Sequence, residues 1–109
     1  MTLFARAITA ESLAVGAAES GTPAAAAGVD VANKRSVTIQ VHTLVGSPTY
    51  TVTCWIKIGD TWTLVNNGEY AGKTTTFSEQ FSVDDHDRFF AQITALSTGS
   101  VKRTYATTR

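Results

Sequence analysis

Tyr50-Thr51-Val52-Thr53-Cys54-Trp55-Ile56-Lys57-Ile58-Gly59-Asp60-Thr61-Trp62-Thr63-Leu64-Val65 is the stretch on which the fold reading rests. From Tyr50 to Ile58 every second residue is apolar, the period of a strand with one buried face. Gly59-Asp60 turns the chain, and the alternation resumes with Trp62 and Leu64, so the segment reads as a β-hairpin. Continued through the turn, the pattern predicts Trp62 in the core and Trp55 on the opposite, Thr-rich face.

Outward from this hairpin, further short alternating runs appear. Val29 and Val31, then Val37, Ile39 and Val41, precede it, with Gly46-Ser47-Pro48 as a turn. After it, Asn67-Gly68 is suited to a type I′ turn that returns Glu69-Tyr70-Ala71 along Leu64 to Asn66. Phe77, Phe81 and Val83 share a face with Glu79. Phe89 to Leu96 is apolar on both sides near its ends, as a central strand would be. Val101 to Thr107 closes the chain, with Lys102 and Arg103 read as exposed charges on a last strand. About seven strands divided by Gly, Pro, Asn and Asp turns predict an all-β fold, an antiparallel β-sandwich of immunoglobulin-like or jelly-roll type, with an open barrel as the alternative.

Composition divides the chain. Eleven of fifteen alanines lie at or before Ala32 and fifteen of eighteen threonines after Ser36. The expected organisation is therefore an extended N-terminal arm over residues 1–28 and a β-sandwich domain over 29–109. Within the arm, the alternation of Phe4, Arg6 and Ile8 permits an edge strand, and Glu11 to Ala18 a short helix. Small side chains build no core of their own, so the arm is expected to be ordered by a neighbouring subunit.

Nine Lys plus Arg balance nine Asp plus Glu, which leaves no electrostatic footprint for nucleic acid or an anionic membrane. No apolar run approaches the ~20 residues of a membrane-spanning helix, and no signal peptide is expected. Cys54 is the sole cysteine and is expected to act as a buried hydrophobe, in a protein made in a reducing cytoplasm. The candidates for chemistry are sparse. Asp84-Asp85-His86-Asp87 lacks the spacing of a calcium loop and reads better as a turn. Cys54 with His42 or His86 would need a core thiol to meet an outward imidazole. Glu79 reads as a carboxylate that snorkels to water. No catalytic residue, cofactor or metal site is expected. Trp55 reads equally as a contact residue or as cover for the outer sheet.

The runs Val29-Asp30-Val31, Arg35 to Val41, Tyr50 to Thr53, Gly59 to Leu64 and Phe89 to Ile93 together resemble small β-sandwich virion proteins of tailed bacteriophages, of the capsid decoration and head-fibre type. The resemblance covers about Val29 to Thr107, and here the glycine precedes the aspartate of the hairpin. It implies a non-enzymatic virion protein, made in the host cytoplasm, whose partners are the major capsid protein or other virion subunits, and a homo-oligomer. Leu3, Phe4, Ile8, Leu13 and Trp55 are then the expected partner-binding residues. A tail or head-completion component is the alternative within that setting. A carbohydrate-binding or adhesin module using Trp55 and Tyr70 is the alternative from another class.

Overall fold

The computed structural model describes residues 6–14, 19, 21–84 and 86–108, with the side chains of 6–14, Thr43, Asn66 and Asn67 outside the description. Its strands are β1 (Arg6–Ala14), β2 (Val29–Asp30), β3 (Ser36–Val45), β4 (Tyr50–Ile58), β5 (Thr61–Lys73), β6 (Phe77–Ser82), β7 (Arg88–Leu96) and β8 (Ser100–Thr108). They form two four-stranded sheets, β1-β8-β3-β6 (sheet A) and β2-β7-β4-β5 (sheet B), and every pairing is antiparallel. The described residues contain no helix. The fold is the expected antiparallel β-sandwich.

Alternation explains the core. Val37, Ile39 and Val41 of β3 and Val101 and Tyr105 of β8 face Val52 and Cys54 of β4 and Phe89, Ala91 and Ile93 of β7, all of them buried. Rings close the gap between the sheets, with Phe81 and Phe89 centroids 5.0 Å apart and Tyr70 and Phe77 4.7 Å apart. Each fully buried aliphatic or aromatic side chain contributes about 2 kcal/mol from removal of its surface from water.

The hairpin forms as expected, but its second strand differs in two ways. Ile58 pairs with Thr61, so the parity of the strand carries Trp62 opposite Lys57 and Leu64 opposite Trp55, all on the outer face of sheet B. Trp62 is therefore half-buried beside Trp55 and is not a core residue. Nor does Asn67-Gly68 reverse the chain. β5 runs on to Lys73 along β4, and its register jumps from Trp55↔Leu64 to Thr53↔Glu69, so residues 65–68 bulge opposite Cys54 alone. Gly68 serves packing here: a Cβ would lie 2.9 Å from the Val65 Cβ and 3.2 Å from the Cys54 Cβ.

The leader is part of the sandwich wherever it is described. Arg6–Ala14 is edge strand β1, paired in unbroken register with β8 from Arg6↔Thr108 to Ala14↔Ser100. The helix expected from Glu11 is replaced through Ala14 by this strand, because β8 offers a free ladder. Residues 21–28 form a strap over the outer face of sheet B. At its end Gly28 takes φ +72°, and a Cβ there would collide with the backbone carbonyl of Phe89, so only glycine brings the strap this close to β7. For the described residues, the expectation of order supplied by a neighbouring subunit gives way to order supplied by their own chain.

β2 covers β7 only at Arg88 and Phe89, and side chains complete the edge. The Tyr105 hydroxyl accepts from the Ala91 N–H (3.0 Å), and Arg103 donates to the Ala91 carbonyl (2.9 Å). Glu19 accepts from the Ile93 N–H through its carboxylate (2.9 Å) and donates its own N–H to the Ile93 carbonyl (2.7 Å). Arg103 and Glu19 are in turn joined at 2.7 Å. Arg103 is thus 2% exposed, against the expectation of an exposed charge, because it shares the inward parity of Val101 and Tyr105. Its guanidinium lies 4.9 Å from the Phe90 ring centroid. Arg103 is the buried member of the pair while Glu19 keeps partial access to water, so removing Glu19 leaves a buried charge with fewer acceptors and destabilises the fold.

Candidate interaction surfaces

The outer face of sheet B carries long donors. By register, Arg88, Phe90 and Gln92 of β7 stand beside Lys57, Trp55 and Thr53 of β4, with Trp62 and Leu64 of β5 beyond. These donors hold the strap by its main chain. Lys57 Nζ donates to the Ala25 carbonyl (2.8 Å), Trp62 Nε1 to Ala24 (3.1 Å) and Gln92 Nε2 to Gly21 (2.9 Å). Arg88 reaches three carbonyls, those of Ala26, Ala27 and Gly28, at 2.9–3.1 Å. Trp55 Nε1 donates to Gln92 Oε1 (3.0 Å), which turns the amide nitrogen of Gln92 toward Gly21. Lys57 Nζ also sits 5.7 Å from the Trp62 ring centroid. Chemically this is a cradle for main-chain carbonyls, here those of a segment that turns from Ala24 to Ala27, and it is blind to the side chains they carry.

Among the described residues, the outer face of sheet A carries no such strap. Ser36, Thr38, Gln40 and His42 of β3 lie between Ser78, Gln80 and Ser82 of β6 and Lys102, Thr104, Ala106 and Thr108 of β8. Ser36 Oγ and Thr108 Oγ1 are 2.7 Å apart, as are His42 Nε2 and Thr104 Oγ1, and Gln80 Nε2 donates to Ser36 Oγ (3.3 Å). Three shallow depressions of about 200, 370 and 360 Å³ interrupt this face, the first between Thr38, Gln40, Thr104, Ala106 and Thr108, the second at Gln40, His42 and Ser78, and the third at Ser36, Gln80 and Ser82.

The groups with chemical potential are kept apart. Cys54 is fully buried, and burial, with the charge of Glu79 as a smaller cause, pushes its thiol up to about 12. It is protonated at neutral pH and faces the other sheet, whereas His42 lies on the outer face of sheet A. In the turn after β6, Asp87 accepts from the Gly59 N–H (2.6 Å) and His86 donates its N–H to the Val83 carbonyl (3.1 Å), which anchors the hairpin tip. Asp85 lies outside the described residues. Among the described residues no group of three or more His, Cys, Asp or Glu is placed to hold a metal ion. Glu79 stands opposite core Ile39 yet is exposed, since edge strand β6 lets its carboxylate reach water.

The expected partner-binding residues do not come together. Leu3 and Phe4 lie outside the described residues. Ile8 pairs with Ala106 on the outer-face row of sheet A, whereas Leu13 pairs with Val101 on the inward row. Trp55 belongs to the opposite sheet, half-buried, with its N–H committed to Gln92. Tyr70 is on the inward row against Phe77, so Trp55 and Tyr70 do not form one aromatic strip. The residues that sequence reasoning passed over are Arg88, Gln92 and Lys57. The available signal was the shared parity of Arg88, Phe90 and Gln92 on a strand otherwise read as apolar.

Comparison with known proteins finds no matching family model, no similar curated protein and no similar solved structure.

Proposed function

We propose that this chain is a non-enzymatic structural protein of a tailed-phage virion, a decoration protein that docks on the major capsid protein through the outer face of sheet A. The resemblance of its strand runs supports the setting. The observation that carries the docking mode is the face itself, a broad array of mostly hydroxyl and amide side chains across β3, β6 and β8, with His42 and Lys102 at one end and only shallow depressions among its described residues. Such a surface suits a broad protein contact better than a small ligand, which is held in a concave site. This mode replaces the gripping arm, since the described leader is engaged with its own sandwich. A tail or head-completion position would use the same face. The carbohydrate-binding alternative is not favoured, because the aromatic strip it requires is divided between the two faces of sheet B.

The test adds purified protein to particles assembled without it and reconstructs them. Saturable density at symmetry-related positions, with sheet A toward the shell, is the expected result. Gln40→Arg, a bulky change at an exposed position on that face, should lower occupancy while leaving the melting temperature unchanged. Absence of the native protein from the reconstructed particles would overturn the reading.

A further inference from the structure

The strap lies between two fixed points. On one side Glu19 is bonded to Ile93 through both its N–H (2.7 Å) and its carboxylate (2.9 Å), and on the other Val29 pairs with Phe89 and the Val31 N–H donates to the Asp87 carbonyl (2.9 Å). Between them the attachment changes in kind. Among the described residues, the main-chain hydrogen bond of residues 21–27 is internal, from the Ala27 N–H to the Ala24 carbonyl (3.0 Å), and the bonds that tie these residues to sheet B come from side chains. None of residues 21–28 is buried, and Ala24, Ala25 and Ala26 are exposed, so lifting the strap returns little of its own apolar surface to water. Both ends are glycines at positive φ, Gly21 at +74° and Gly28 at +72°, where the backbone turns with least steric resistance.

We infer that residues 21–28 act as a hinged cover, closed in the ground state, that lifts from sheet B as one unit between Gly21 and Gly28 while the sandwich stays folded. Local openings are drawn from segments with few buried apolar contacts, and this segment has few. Six side-chain hydrogen bonds hold it closed, and because all six end on carbonyls of one short segment they are lost together. Opening frees the donors of Lys57, Trp62, Arg88 and Gln92 at once, so the hydrogen-bonding capacity of this face is withheld or offered by a single segment. The inference concerns the isolated chain and does not rest on the virion reading.

Two thiols in one full-length chain test this. Gln92, 3% exposed beneath the strap, is replaced in Gln92→Cys, and Cys54, fully buried between the sheets, reports unfolding of the sandwich itself. The introduced thiol should react with a thiol reagent at least about 100-fold faster than Cys54, at a rate unchanged by urea below the unfolding transition, whereas Cys54 accelerates with urea. Adding Gly28→Ala, whose methyl meets the Phe89 carbonyl when the strap is seated, should speed the introduced thiol by about a further tenfold while Cys54 stays protected. Equal rates for the two thiols, or an introduced thiol indifferent to Gly28→Ala, would overturn the inference. The native chain supplies a second measurement free of any substitution: a protease selective for alanine should cut within residues 24–26 at a rate flat in sub-denaturing urea. No cleavage there, or cleavage that rises with urea in step with the labelling of Cys54, would sink it equally.

Discussion

The two outer faces of this sandwich solve the same problem in opposite ways. Sheet A shows water a row of Ser, Thr and Gln, short side chains that satisfy one another or solvent. Sheet B carries Trp55, Trp62, Lys57, Arg88 and Gln92, long side chains whose donors would waste their apolar stems if left upright. They lie under a strap that brings bare carbonyls and almost no side chains, and the two surfaces complement each other. A face rich in N–H donors and a segment of Ala and Gly are therefore two halves of one structure.

The largest test of that contrast is Arg88→Ala, which removes three charge-assisted hydrogen bonds to consecutive carbonyls at once. It should cost about 2 kcal/mol and raise amide exchange and protease cleavage within residues 21–28. Unchanged protection of the strap would break the comparison. A smaller effect comes from Cys54, packed between the sheets and so common to both. Its folded thiol lies well above the ordinary 9.0, so its contribution is fully present below pH 9 and is lost as pH rises toward about 12. Chemical denaturation at pH 10 should show a loss of about 1 kcal/mol relative to pH 8 that Cys54→Val lacks. The smallest effect belongs to the outer face of sheet A. Thr38→Val should change stability by no more than about 0.5 kcal/mol by the same measurement, because its side chain lines a shallow outer depression and not the core.

How much of this was legible follows from where each signal resides. The β4–β5 hairpin could be read because its alternation and its turn are adjacent in sequence. Asn67-Gly68 misled because local turn preference competes with a ladder already running along β4, and the ladder won by bulging. Trp62 was placed wrongly by one step of parity through the Gly59-Asp60 turn, which reverses the face of everything after it. Arg103 looked like a surface charge because its partner, Glu19, is 84 residues away, and the Ala91 carbonyl and Phe90 ring that it also meets lie on β7. The strap was least legible of all. Its interactions use carbonyls, which every sequence possesses, so composition shows only that its side chains do little.

That same indifference makes the strap a site for writing. Ala24, Ala25 and Ala26 are exposed, and their carbonyls, not their methyl groups, are what sheet B grips. A fluorophore, a crosslinker or a short epitope attached at these three positions would ride on the outside of a fixed backbone, displayed in a known orientation above the sheet and paid for by none of its contacts.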